Sequence, residues 1–188
     1  MPTPIGHALA GLATAWVADA LAPMPRRPAS QAPSGSRFAA LGGGLAVACA
    51  ALAAAPDVDI FVGSHRAFSH SVGALAVVGL LAGILARRWR MPPIRTAVTC
   101  VAAYATHPLL DWLGTDTALP RGIMVLWPVS PAYYTSGVDL FLKISRSYWK
   151  ADEFIIGNLQ SLAWELVVLL PVAAVAWWVR KRALAGRS

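Results

Sequence analysis

Charge is scarce in this chain. Only 13% of its 188 residues are charged, and nine are acidic. With 57% hydrophobic residues and a mean hydropathy of +0.56, it lacks the polar surface that a soluble domain of this size needs. Cysteine is scarce too. Cys49 and Cys100 both lie inside apolar runs, with no CxxC pair and no secreted spacing, which excludes a disulfide scaffold and leaves two buried thiols. No Lys or Arg precedes the first apolar run, so the charged start of a signal peptide is missing. No inverted repeat of the transporter kind is present.

The remaining charge is strongly basic, net +7. The arginines fall between apolar runs and after the last one, which is a pattern of membrane orientation and excludes a nucleic-acid face. The runs are Ile5 to Ala22, Phe38 to Ala55, Ser71 to Ala86, Ile94 to Leu113 and Leu162 to Val179. Several reach the ~18–20 residues of a span. The expected fold is therefore all-α: a single polytopic membrane domain over 1–188, with about five membrane-embedded helices. Residues 23–37 form a loop rich in Pro, Ser and Arg, and 56–70 form a short polar break. Residues 114–161 make an interfacial segment with aromatics for the headgroup level, including an amphipathic helix near Val138 to Trp149.

Five spans put Arg26, Arg27, Arg37, Arg87, Arg88, Arg90, Arg180, Lys181, Arg182 and Arg187 on one side, with Arg95 at its edge. The other side holds Arg66, Arg121, Lys143, Arg146 and Lys150. Positive charge marks the cytoplasm, so the N-terminus is expected outside and the C-terminus inside. All four histidines then fall toward the outer face: His7, His65, His70 and His107, joined by Asp57, Asp59 and Asp111. Topology and chemistry are read from different residues and agree.

Ionisable groups at membrane depth are costly and mark function. His107-x-x-x-Asp111 puts two side chains on one helix face. Asp57 and Asp59, two apart in an extended segment, would point the same way. Imidazole with carboxylate is the ligand set of zinc first, with manganese or iron as alternatives, and more than four candidates leave one or two ions open. The expected ligands are Asp57, Asp59, His70, His107 and Asp111, with His65 and His7 completing or supporting the site. Asp59 is ligand or base, His65 a ligand or proton shuttle, and Arg66 a donor to a substrate's anionic oxygen. A site at headgroup depth suits a lipid-linked or phosphate-ester substrate, with membrane lipid as the partner. A non-catalytic metal-binding, transport or regulatory protein is the alternative. A metal-free lipid phosphatase is disfavoured, because Pro33-Ser34-Gly35 is followed by Ser36 and lies on the side opposite His107.

Taken together, His7, Pro56-Asp-x-Asp59, His65-Arg-x-x-Ser-His-Ser71, His107-x-x-x-Asp111 and Leu126-Trp-Pro128 resemble the YdjM family. Ser69 stands where that family commonly has Thr, and Gly114-Thr-Asp-Thr117 replaces its usual Thr-x-Gly. The resemblance implies a multi-pass protein of the bacterial inner membrane and a metal-dependent hydrolase.

Overall fold

The structure is a computed structural model and describes residues 2–22, 43–62, 66–145, 147 and 149–186. The 23–37 loop, the start of the second apolar run at Phe38, His65, Arg146 and Arg187 lie outside the described residues. Among those described, the chain is all-helical and has no strands. Its five α-helices are α1 (Pro4–Leu21), α2 (Gly44–Ala54), α3 (Val72–Arg88), α4 (Pro93–Trp112) and α5 (Ala151–Ala185). Short 3-10 helices at Ala55–Val62 and Phe68–His70 fill the polar break between α2 and α3. One described helix, over Phe154–Ala185, is long and apolar enough to cross a membrane.

Helix α1 sits at the centre and packs on α2, α4 and α5, while α3 packs on α4. The interior is built of small residues: Ala13, Ala15, Ala46, Cys49, Ala53 and Ala103 are buried. The large aliphatic residues face outward, among them Val77, Leu80, Ile84, Val167, Val172 and Val175. Small residues at these contacts let the helix backbones approach closely. At Gly11 the approach is closest. A Cβ there would lie 2.4 Å from the Cys49 carbonyl oxygen and 2.5 Å from the Ala53 Cβ, so only glycine fits.

The two ends of the bundle differ in chemistry. Asp19, near the end of α1, accepts from Arg180 Nε at 2.7 Å and lies 3.5 Å from Arg95 Nη2. Twelve residues earlier on the same helix is His7, roughly 18 Å away at 1.5 Å per residue.

Two local expectations are overturned. Asp57 and Asp59 are not on an extended segment. They lie in the 3-10 helix Ala55–Val62, where each residue turns by roughly 120°, so residues two apart diverge. Nor is there a helix among the described residues of the stretch from Val138 to Trp149. Its first part runs as an irregular strap along the bundle. Leu113 accepts from Leu140 N–H at 2.7 Å, Thr115 N–H donates to the Phe141 carbonyl at 2.8 Å, and Phe141 is buried with Leu110 and Leu169. That burial and pairing outweigh any amphipathic pattern. Helix α5 also begins eleven residues before the apolar run. The polar residues of that extra stretch are used: Asn158 exchanges hydrogen bonds with the Ser145 backbone, and Ser161 donates to the Lys143 carbonyl.

Candidate metal centre

Four elements bring the pieces of the site to a single end of the bundle. Helix α1 supplies His7 from its first turn. The 3-10 helix after α2 supplies Asp57 and Asp59, the next 3-10 turn supplies His70, and α4 supplies His107 and Asp111. His7, His70 and His107 are fully buried and Asp111 nearly so, whereas the Asp57 side chain remains 16% exposed. The expected constellation is brought together, apart from His65, which lies outside the described residues.

Asp111 is at the middle. Its Oδ2 is 3.1 Å from His70 Nε2 and 3.4 Å from His107 Nε2, and its Oδ1 is 3.3 Å from His7 Nε2. Asp57 Oδ1 approaches His107 Nε2 at 3.7 Å, and the two imidazole Nε2 atoms of His70 and His107 are 3.0 Å apart. One donor atom from each of Asp57, His70, His107 and Asp111 lies within 4.8 Å of the others. A tetrahedral ion with bonds of ~2.0–2.1 Å sets its ligand atoms roughly 3.3–3.4 Å apart. The observed spacings bracket that figure.

The far sides of the His70 and His107 rings are anchored. His107 Nδ1–H donates to the Ala53 carbonyl at 2.7 Å, which leaves a lone pair on Nε2 facing the cluster. His70 Nδ1 lies 2.9 Å from Ser69 Oγ and 3.3 Å from Asp59 Oδ2. Asp59 Oδ2 also accepts from the Arg66 backbone N–H at 2.9 Å and from the Ser69 hydroxyl. Asp59 therefore stands behind His70, the arrangement in which a carboxylate orients a ligating imidazole. Tyr104 donates to the Ser69 carbonyl at 2.7 Å and ties this turn to α4 one helical turn before His107.

Arg66 is buried, in a left-handed conformation (φ 67°), and its guanidinium is taken by Asp116. Asp116 also accepts from the Gly122 and Ala118 backbone N–H groups, and the Arg66 carbonyl accepts from Met124 N–H. The altered Gly114–Thr117 stretch thus supplies the partner that seats Arg66, and an anion reaching this guanidinium would have to displace Asp116. The Leu-Trp-Pro stretch closes the other flank. Val125 and Trp127 carbonyls accept from the Val72 and Gly73 N–H groups at the start of α3, and Trp127 packs over Gly73.

The buried Asp111 oxygens meet nothing but the three imidazoles, and the buried His7 ring nitrogens meet nothing but Asp111. Buried groups of this kind are costly unless a cation satisfies them. A proton on His70 is one such cation. Burial alone would lower the His70 pKa from 6.5, but hydrogen bonds to Asp111 and Asp59 outweigh it and push the imidazole up to about 9. The stabilisation from protonated His70 is thus present below its ordinary pKa and lost as pH rises through about 9. A metal bound by His70 would have to displace that proton. Zinc affinity should therefore climb with pH up to about 9, with proton release at neutral pH. Calorimetric titrations in buffers of different ionisation heat measure this, and a binding heat that does not depend on the buffer would remove His70 from the ligand set.

Glu165 and Asp116 were not evident from the sequence. Glu165 is the sole acidic residue of the last apolar run, and that isolation was the available signal.

The family model described as YdjM inner membrane protein matches residues 1–184. No curated protein and no solved structure matches the chain. The match spans nearly the whole sequence, and the chain belongs to the YdjM inner membrane protein family.

Proposed function

We propose that this member of the YdjM inner membrane protein family is a multi-pass, metal-dependent hydrolase. Its substrate would be a lipid-linked molecule or phosphate ester at the outer interface. The observation that carries this reading is the largely buried Asp57, His70, His107 and Asp111 cluster, whose donor atoms converge while the Asp111 oxygens meet nothing but imidazoles. These four would hold a divalent ion, zinc before manganese or iron, with His7 completing the shell through Asp111. When bound, such an ion supplies Lewis acidity, which acidifies water and polarises an ester or phosphoryl oxygen.

The chain's own residues do the rest. Asp59 fixes the His70 ring, and the Ala53 carbonyl fixes the tautomer of His107. Asp57, the most exposed of the four, is the ligand nearest solvent. Arg66, held by Asp116, seats the turn that carries Ser69 and His70 and becomes a donor to a substrate oxygen only when Asp116 releases it.

The outward-facing aliphatic residues on α3 and α5 and the arginine asymmetry support five membrane-embedded helices, the N-terminus outside and the C-terminus in the cytoplasm. A reporter fused after residue 187 that is active only outside the cytoplasm would overturn that orientation.

The test of function is metal content together with turnover. Purified wild-type protein should carry stoichiometric metal and cleave a phospholipid or a phosphodiester in mixed micelles, and His107→Ala should do neither. Metal without turnover, across phospholipid and phosphodiester substrates, would favour a metal-binding or transport role. Equal metal in both proteins would sink the site.

A further inference from the structure

Glu165 is an expensive residue. It is fully buried, and it is the one acidic residue over 154–185, in the helix apolar enough to cross a membrane. A carboxylate there needs a purpose. Both of its oxygens go to one residue: Oε1 accepts from the Thr3 backbone N–H and Oε2 from the Thr3 hydroxyl, each at 2.7 Å. Thr3 is the N-cap of α1, and its Oγ1 in turn accepts from Gly6 N–H at 3.3 Å.

In a capping box, a Glu or Gln at the third helical position reaches back to the N-cap N–H. Here that position is Gly6, which has no side chain to offer. A Cβ on Gly6 would lie 2.7 Å from Glu165 Oε2. The carboxylate that completes the box therefore comes from another helix and occupies the space that glycine leaves. It also complements the positive end of α1.

We propose that Glu165 is a positioning residue for the metal centre, completing the cap of α1 from α5 and so fixing His7 against Asp111. The proposal rests on the metal-binding reading above. His7 follows Gly6 directly, stacks on His107 with ring centroids 3.7 Å apart, and meets Asp111 Oδ1 at 3.3 Å. Helix ends fray unless capped, and each residue unwound from the first turn swings a neighbouring side chain by about 100°. Without the Glu165 clamp, His7 would lose its hold on both partners.

The test uses full-length protein in detergent with cobalt(II) as the probe. Glu165→Leu keeps the volume and removes both acceptors, and should weaken cobalt binding by roughly 10- to 100-fold and change its visible spectrum. Glu165→Gln can still accept from Thr3 N–H and donate to its hydroxyl oxygen, so it should stay close to wild type. In a His7→Ala background the Leu substitution should cost nothing more in affinity, because its effect passes through His7. Should Glu165→Leu fail to fold, Thr3→Val carries the same expectation. Wild-type cobalt affinity and spectrum in the Leu or Val variant would overturn the proposal, as would a Leu penalty undiminished in the His7→Ala background. Wild-type protein that binds no cobalt would instead overturn the metal reading. The clamp is then read in metal-free protein from the nitrogen resonances of labelled histidine. The His7 signal should move in Glu165→Leu and stay in Glu165→Gln, and an unmoved signal in Glu165→Leu overturns the proposal.

Discussion

Asp111→Asn should nearly abolish metal binding while leaving the fold in place. The substitution conserves shape but removes the charge that all three buried imidazoles share. Zinc held by four protein ligands gains about 10–16 kcal/mol in favourable cases, so one ligand accounts for roughly 3 kcal/mol, a hundredfold or more in affinity. The loss at Asp111 should exceed that for any single histidine, because both of its oxygens serve the cluster. Competition with a chromophoric zinc chelator gives the affinity directly. An Asp111→Asn protein that holds zinc like the wild type would exclude Asp111 from the centre.

Gly11→Val should produce the largest loss of stability and should cost metal as well. Its side chain would have to enter space filled by the Cys49 carbonyl and Ala53, and backbone cannot move aside as a side-chain tip can. Overpacking of this kind costs about 1–3 kcal/mol and sometimes more. The loss reaches the site because the displaced helix α2 carries the Ala53 carbonyl that holds His107 Nδ1–H. A lower Tm in detergent and a lower zinc occupancy are expected together. Gly83→Ala is the control, since its added carbon meets only the Ala97 Cβ at 3.8 Å, an ordinary contact. Equal melting of the Gly11 and Gly83 variants would refute the close α1–α2 crossing.

The helices were legible in the sequence wherever an apolar run ended on a strong signal. Leu21, Arg88 and Trp112 end their helices within about two residues of the expected limits. The pairing of His107 with Asp111 was equally legible, because four-residue spacing on a helix has one meaning. The Asp57-Val58-Asp59 alternation was not. It reads as extended until Pro56 and the packing of α2 wind it into a 3-10 turn, which sends one aspartate to His107 and the other behind His70. The strap around Phe141 was hidden because a single buried aromatic and its backbone partners leave no periodic trace. Glu165 was hidden for a related reason. Its partner Thr3 is 162 residues away, and only the fold brings them together.

The outward aliphatic shell and the small-residue interior have a consequence for how this protein fails. In water, a bundle is pressed together by the solvent it excludes. On the proposed multi-pass reading, lipid tails would compete for the outer aliphatic residues as well as any neighbouring helix could. Cohesion must come from contact at close range, at places such as Gly11 against Cys49, and from polar ties such as Asp19 with Arg180 at one end and Glu165 with Thr3 at the other. Losing one such tie would part helices that remain individually folded. Damage would then appear as a centre pulled open at one edge, with helix content retained and the ion gone.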